Sequence, residues 1–338
     1  MTRLDAPPPE LPAPTPNRLP RWRGFNLTEM FTAGSARPFL ESDFQCIRRL
    51  GFNFVRLPMD YRCWTDPADP RRLDEERLTW IDGAVEFGRA CGVHVCLNLH
   101  RAPGYCVNDR EPRALDLWRD REAQEQFDFQ WSTLAGRYRG VPNAQVSFNL
   151  VNEPARVGAD LYVPVARRAV EAIRGADPDR LILSDGLRWG NEPVFELADL
   201  NIAQSTRGYT PARVSHYKAS WIDSAGWPAP TWPLDAGGER WDRDRLRREQ
   251  IEPWQRLEAA GVGVHVGEFG CFRHTPHEVA LGYLRDYLSL WAEAGWGWAM
   301  WNFRGAFGVL DSGRDDVDYE PFGEHGLDRR MLELLQEF

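Results

Sequence analysis

Short apolar runs alternate with stretches of helical periodicity along almost the whole chain after Arg21. The runs are Gly24–Leu27, Phe52–Leu57, Val93–Leu99, Val146–Leu150, Leu181–Ser184, Ile202–Ser205, Gly263–Val266 and Gly297–Trp301. Several are apolar at nearly every position, as strands buried on both faces are. Between them Leu78, Ile81 and Val85 recur at helical spacing, as do Tyr162, Val165, Ala166, Ala169, Val170 and Ile173, and again Leu284, Tyr287, Leu288 and Trp291. Breakers at Thr32–Ser35 and Gly175–Pro178 fall where loops are needed. The alternation predicts an α/β chain with a parallel sheet. Eight strands favour a single closed (β/α)8 TIM barrel over an open doubly wound sheet, and no G-x-G-x-x-G follows the first strand.

Two stretches fit this pattern poorly. The fifth helix is short, over Pro193–Leu197, and residues 206–243 form a long segment rich in Pro, Gly and Trp. A long loop on a barrel is more often functional than idle. Residues 1–20 (MTRLDAPPPELPAPTPNRLP) read as an extended, mobile Pro-rich arm, and 21–338 as one catalytic domain without internal repeats.

Composition narrows the function classes. The 338 residues suit one barrel, and 41 basic against 50 acidic side chains give a net charge of −9. Such a chain lacks the basic footprint of a nucleic-acid binder and is a poor partner for anionic membranes. No stretch is long enough to span a bilayer, and the N-terminus carries no apolar signal region. The expected location is the cytoplasm, or outside the cell if a leader has been removed. Oligomeric state is not legible. Cys46, Cys63, Cys91, Cys96, Cys106 and Cys271 match no zinc or redox spacing and read as mostly free, buried thiols. Fifteen Trp and nine Tyr suit a glycan groove, where rings stack on the apolar faces of sugars, although most of them serve packing.

A barrel keeps its chemistry at the C-terminal ends of its strands. Standing there are Arg56, His100, Asn152, Glu153, Glu268 and Trp301. Glu153 follows the fourth strand and Glu268 the seventh, so they face one another across the mouth. Two carboxyls on opposite sides of a sugar can hydrolyse a glycosidic bond: one protonates the leaving oxygen, the other attacks the anomeric carbon or activates water. Their environments must then separate the two proton affinities. Arg56 is placed to keep Glu268 ionised, Asn152 to bond the sugar 2-hydroxyl, His100 to bond the sugar and Trp301 to form its floor. Taken singly, each is more often a turn, ion-pair or core residue; the argument rests on their joint placement. Glu29 and Trp189 are weaker candidates for distal sugars. The scattered histidines and the segment Asn26-Leu27-Thr28-Glu29 do not suit a metal-dependent barrel, which wants His-x-His after strand one. Gly305 and Gly308 are isolated for a phosphate site.

Together RGFNL, GFNFVRLPMDY, VCLNLHRAPGY, NLVNEP, VHVGEFG and WAMWNFRGAFGVLDS resemble glycoside hydrolase family 5, over nearly the whole chain after Arg21. The resemblance implies retaining, double-displacement hydrolysis of a β-glycosidic bond in an oligosaccharide or polysaccharide, without metal or organic cofactor. It places Glu153 as acid/base, Glu268 as nucleophile, and Arg56, His100, Asn152 and Trp301 in the sugar site. The family often carries His-x-Tyr after strand six, its Tyr bonding the nucleophile. Here Ser215-His216-Tyr217 puts Tyr217 at the Tyr position and Ser215 at the His position, unless a local shift lets His216 serve. GEFG and the loop tryptophans Trp221, Trp227, Trp232 and Trp241 favour an endo-β-1,4-glucanase. The alternatives are an exo-acting β-glucosidase, a mannan- or xyloglucan-type β-glycanase, and, further off, a non-catalytic carbohydrate-binding barrel.

Overall fold

The computed structural model describes residues 8–108 and 114–338, and in it eight parallel strands close a barrel in chain order. They are β1 Arg23–Asn26, β2 Phe54–Asp60, β3 His94–Arg101, β4 Val146–Val151, β5 Ile182–Asp185, β6 Ala203–Gly208, β7 Val264–Phe269 and β8 Gly297–Met300. Closure is made by β8 against β1, with Gly24 opposite Ala299 and Phe25 opposite Met300.

The helices pack outside. They are α1 Glu41–Arg49, α2 Glu75–Cys91, α3 Arg121–Arg137 and α4 Ala159–Ala176; then α5, running through Arg243–Leu246, a π turn at Arg247–Ile251 and Glu252–Ala259; then α6 His277–Ala294 and α7 Arg329–Glu337. The expected periodicities are their buried faces: Leu78, Ile81 and Val85 in α2, Tyr162 to Ile173 in α4, Leu284 to Trp291 in α6. The ends of α2 follow from local chemistry. The Asp74 carboxylate accepts from the Arg77 amide at 3.1 Å, Glu75 and Glu76 sit in the first turn, and Gly92 stops the helix in the left-handed region. After β5 come a kinked single turn, Leu187–Gly190, and a 3-10 turn, Phe195–Leu200, where the short fifth helix was expected.

Strand ends differ from the sequence reading where the barrel interior becomes polar. β5 continues to Asp185 and β6 to Gly208, past the points where the apolar runs stop. Their polar groups are buried yet satisfied. Gln204, for example, accepts from the Val194 amide at 2.9 Å and donates to the Val194 carbonyl at 2.7 Å. Polarity here marks the barrel's inside, not its surface.

The opposite end of the barrel is apolar. Trp22 caps it, fully buried, and stacks on His94 at 3.7 Å between ring centroids and on Phe54 at 5.7 Å. Burial drives both floor histidines, His94 and His265, to about 3 and keeps them neutral. Residues 1–7 of the Pro-rich arm lie outside the described residues. The rest runs along the barrel floor, where the Pro16 carbonyl accepts from the Gly263 amide at 2.8 Å. All six cysteines are free thiols, five of them buried. Among the described residues no helix is long and apolar enough to cross a membrane.

Because Trp22 fills the floor with no exposed surface, Trp22→Ala is expected to cost about 3 to 5 kcal/mol of stability. Urea unfolding midpoints of the two proteins measure this directly.

Candidate active site

The strand ends converge on one cavity of about 560 Å³ whose walls include Glu153, Glu268, His100, Trp301, Phe31 and Tyr209. Each carboxylate is positioned by a local irregularity. In β7 the register against β6 shifts between Val266 and Glu268, which turns Glu268 inward. Only glycine fits at the bulge, since a Cβ on Gly267 would stand 2.4 Å from the Ser205 hydroxyl and 2.8 Å from Arg207 Nη1. Glu153 follows β4 with φ of +46°, a conformation that costs a non-glycine residue of order 1 kcal/mol or more. Two bonds hold it there: its amide donates to Asp185 Oδ2 at 2.8 Å, and its carbonyl accepts from the Tyr105 hydroxyl at 2.6 Å.

Two buried arginines organise the charges. Arg56 donates to Glu268 Oε1 at 2.6 Å, Asn26 Oδ1 at 3.0 Å, Asn149 Oδ1 at 2.9 Å and Asn152 Oδ1 at 2.7 Å. Arg207 donates through Nε to Glu153 Oε1 at 3.0 Å and through Nη2 to Asn152 Oδ1 at 3.0 Å. Its Nη2 also pairs with Asp185 and lies 3.6 Å from Glu268 Oε1. One guanidinium thus touches both mouth carboxylates.

The two carboxyls have different surroundings. Glu268 takes Arg56 on one oxygen and the Tyr209 hydroxyl, at 3.2 Å, on the other. Glu153 is raised to about 8, first by burial, then by the negative charge of Glu268 and that of Asp185, with Arg207 acting against them. The site therefore offers a carboxyl that keeps its proton to about 8 on one side and a carboxyl bonded by an arginine on the other. His100 is held far below its ordinary value by burial and by the charges of Arg56, Arg101 and Arg207. Its ring lies 5.6 Å from that of Trp301, and its Nδ1 has no hydrogen-bond partner within the protein. The Asn152 Nδ2 amide is likewise buried without a partner within the protein. Among the described residues no three His, Cys, Asp or Glu side chains group as metal ligands would.

The expected site residues Glu153, Glu268, His100, His216 and Trp301 all line the cavity. Arg56 and Asn152 stand behind the carboxylates instead, as their hydrogen bonds show. Tyr217 is a correction. It does not line the cavity; its ring packs under Lys218 Nζ at 5.3 Å, and the hydroxyl bonded to Glu268 is that of Tyr209. The tyrosine stands directly after β6, two residues beyond Arg207, and the loop then carries Tyr217 away. His216 remains in the wall, kept neutral at about 4 by burial. Of the loop tryptophans, Trp221 lines the cavity, whereas Trp232 packs on Tyr283 and Trp241 under Arg245. Of the weaker candidates, Trp189 lines the cavity, and Glu29 is buried in an ion-pair cluster with Arg304. Arg207, Asp185 and Tyr209 were missed. The available signal was the rule already applied elsewhere, that polar residues just past a strand end belong to the mouth.

Compared with known proteins, residues 15–306 match the model of the cellulase family, glycosyl hydrolase family 5. The chain belongs to glycosyl hydrolase family 5. Family 5 members are retaining O-glycoside hydrolases, and this chain is one that cleaves β-linked oligosaccharides or polysaccharides. Endoglucanase C of Acetivibrio thermocellus is 25% identical over 306 residues, covering 83% of this chain and 88% of that protein. A crystal structure described as a glycoside hydrolase is 41% identical, with a TM-score of 0.89, over 94% of this chain and 99% of the other. The endoglucanase Cel5A of Thermotoga maritima shares the fold at 21% identity and a TM-score of 0.75, over 93% and 96% of the two chains.

Removing the Tyr209 hydroxyl deletes one hydrogen bond to a charged group, worth about 1.5 to 3 kcal/mol, or about ten- to a hundredfold in rate. Tyr209→Phe should lower kcat/KM by that factor on an aryl β-glycoside, while Tyr217→Phe leaves it unchanged. Steady-state kinetics of the two variants decide between the positions.

Proposed function

We propose that this protein is an endo-acting β-1,4-glucanase in which Glu153 is the acid/base and Glu268 the nucleophile. The observation that carries the catalytic assignment is the contrast between the two carboxyls on one cavity: Glu153 keeps its proton to about 8, while Glu268 is bonded by Arg56 and Tyr209.

In the first step protonated Glu153 gives its proton to the glycosidic oxygen. A Glu268 oxygen bonds to the anomeric carbon as the leaving sugar departs. In the second step the Glu153 carboxylate takes a proton from water. The water oxygen bonds to the same carbon and Glu268 leaves with the electron pair, so configuration is retained. Trp301, in the cavity wall, provides the apolar floor for the sugar. His100, neutral, serves as a hydrogen-bonding wall.

The endo reading is supported by the shape of the mouth. A second cavity of about 400 Å³, with Tyr105, Asp116 and Arg156 in its wall, adjoins the first, and Trp189 belongs to both. The Trp189 ring, 44% exposed, gives a chain of sugars a platform to cross from one to the other. The name of the thermocellus relative points the same way.

Products from defined β-1,4-glucan oligomers, read by mass and anomeric configuration, test both levels. Internal cleavage with retention is expected, and Glu268→Ala should lower kcat by about a thousandfold or more. Sugars released from one end would replace endo by exo action; full activity in Glu268→Ala would remove the catalytic scheme. Because the donor must be protonated, kcat/KM should fall as pH rises past about 8, and a pH profile locates that limb.

A further inference from the structure

Arg207 is a second buried cation in this mouth, and the reaction scheme leaves it without a task. We propose that Arg207, locked by Asp185, is the positioning residue that sets the proton affinity of Glu153 and holds its negative charge during the second half of the double displacement. The inference rests on the assignment of Glu153 as acid/base.

The geometry is that of a preset donor. The guanidinium is fixed by groups other than Glu153: Nη1 donates to the Ser205 hydroxyl at 3.0 Å and the Thr206 carbonyl at 3.1 Å, and Nη2 to Asn152 Oδ1 at 3.0 Å and to Asp185. Nε is left to point at Glu153 Oε1, 3.0 Å away. Asp185 is itself held, accepting from Asn149 Nδ2 at 2.8 Å, and its other oxygen takes the backbone amide of Glu153 at 2.8 Å. One buried carboxylate therefore fixes both the cation and the backbone of the residue that the cation serves. The fold also makes room for the arginine. A Cβ on Gly190 would stand 2.7 Å from Arg207 Cγ, and one on Gly267 would stand 2.8 Å from Nη1.

The charge moves across this guanidinium during the cycle. Before attack the negative charge is on Glu268, whose Oε1 lies 3.6 Å from Nη2. After attack Glu268 is a neutral ester, and Glu153 has given up its proton 3.0 Å from Nε. The same cation faces the charge in both states, without moving. The groups facing Glu153 are Glu268 from β7, Arg207 and Tyr209 from β6 and its end, Asp185 from β5, and Arg56 from β2. From β3 and its loop come His100 and Tyr105, and His216 lines the same cavity. Of these, Glu268 and Asp185 oppose ionisation of Glu153 and Arg207 favours it. Loss of the arginine and loss of the aspartate charge therefore have opposite signs.

The test is the titration of Glu153, read in the carboxyl ¹³C shift of the labelled side chain and in the alkaline limb of kcat/KM on 4-nitrophenyl β-cellobioside. Arg207→Gln should move the midpoint up by about 1 pH unit or more, and Asp185→Asn should move it down. Arg207→Lys, which keeps the charge, should fall between wild type and Arg207→Gln. If Arg207→Gln leaves Asp185 unpaired and fails to fold, the Asp185→Asn/Arg207→Gln pair replaces it. Its midpoint should lie above that of Asp185→Asn alone. A midpoint unmoved by loss of the arginine, or moved the same way in both single variants, overturns the proposal. Glu153→Ala separates the two assignments: undiminished activity there sinks the acid/base reading, whereas the ¹³C titration reports on Arg207 either way.

Discussion

Two guanidinium groups and three carboxyl groups meet, largely buried, at the mouth of this barrel: Arg56 and Arg207 against Glu153, Asp185 and Glu268. Buried charge is tolerated only when it is paired and its remaining lone pairs are bonded. Each of these groups comes from a different strand or strand end, so the pairing exists only when the barrel is closed in register. Deleting one partner would leave a buried charge of the other sign uncompensated, at about 3 to 5 kcal/mol. The same cluster dictates the chemistry. The three carboxyls are supported unequally, and Glu153, the one raised to about 8, has the least support. Glu268 has two strong donors and Asp185 has an arginine, an amide and a backbone N–H, whereas the Glu153 carboxyl has Arg207 Nε. The acid is chosen by subtraction.

The two ends of the barrel share the work unequally. At the floor Trp22, Phe54 and two neutral histidines fill the interior by ring stacking, with His94 also hydrogen-bonded to Ala144 and Ser147. At the mouth the interior is polar and its precision comes from hydrogen bonds. Glycine serves the mouth at Gly267 and Gly190, where the missing side chain is the space that Arg207 occupies. A stable floor lets the mouth hold Glu153 in a backbone conformation that would not persist by itself.

The barrel was legible in the sequence because strands buried on both faces announce themselves as apolar runs, and the helices as stripes. The mouth was legible wherever a chemically marked residue stood just past such a run: Glu153 after NLVN, Glu268 after HVG, His100 within LNLH. It failed at β5 and β6 for a physical reason. There the strand continues after apolarity ends, because its last side chains face a polar interior and not a core. Asp185 and Arg207 were therefore taken for loop residues, and the search for the tyrosine partner of Glu268 began too far along. It stopped at Tyr217, whose position in a loop is set by turns that no periodicity records. The tryptophans of the long loop divide in the same way, since composition shows that rings are present and only packing shows that Trp221 faces the cavity while Trp232 and Trp241 do not.

The mouth histidines are kept neutral as well. A protonated His100 would place a further positive charge beside Arg56, Arg101 and Arg207. Burial and the positive charges of Arg56, Arg101 and Arg207 prevent this by holding His100 far below its ordinary range. His216, at about 4, is excluded in the same way by burial. Tyr209 is pushed well above its usual range by burial and by the two glutamates, so its hydroxyl stays a donor to Glu268. Glu153, raised to about 8, is then the group whose proton is held for use, while His100, His216 and Tyr209 have been moved out of the working range by the same burial that makes the cluster strong.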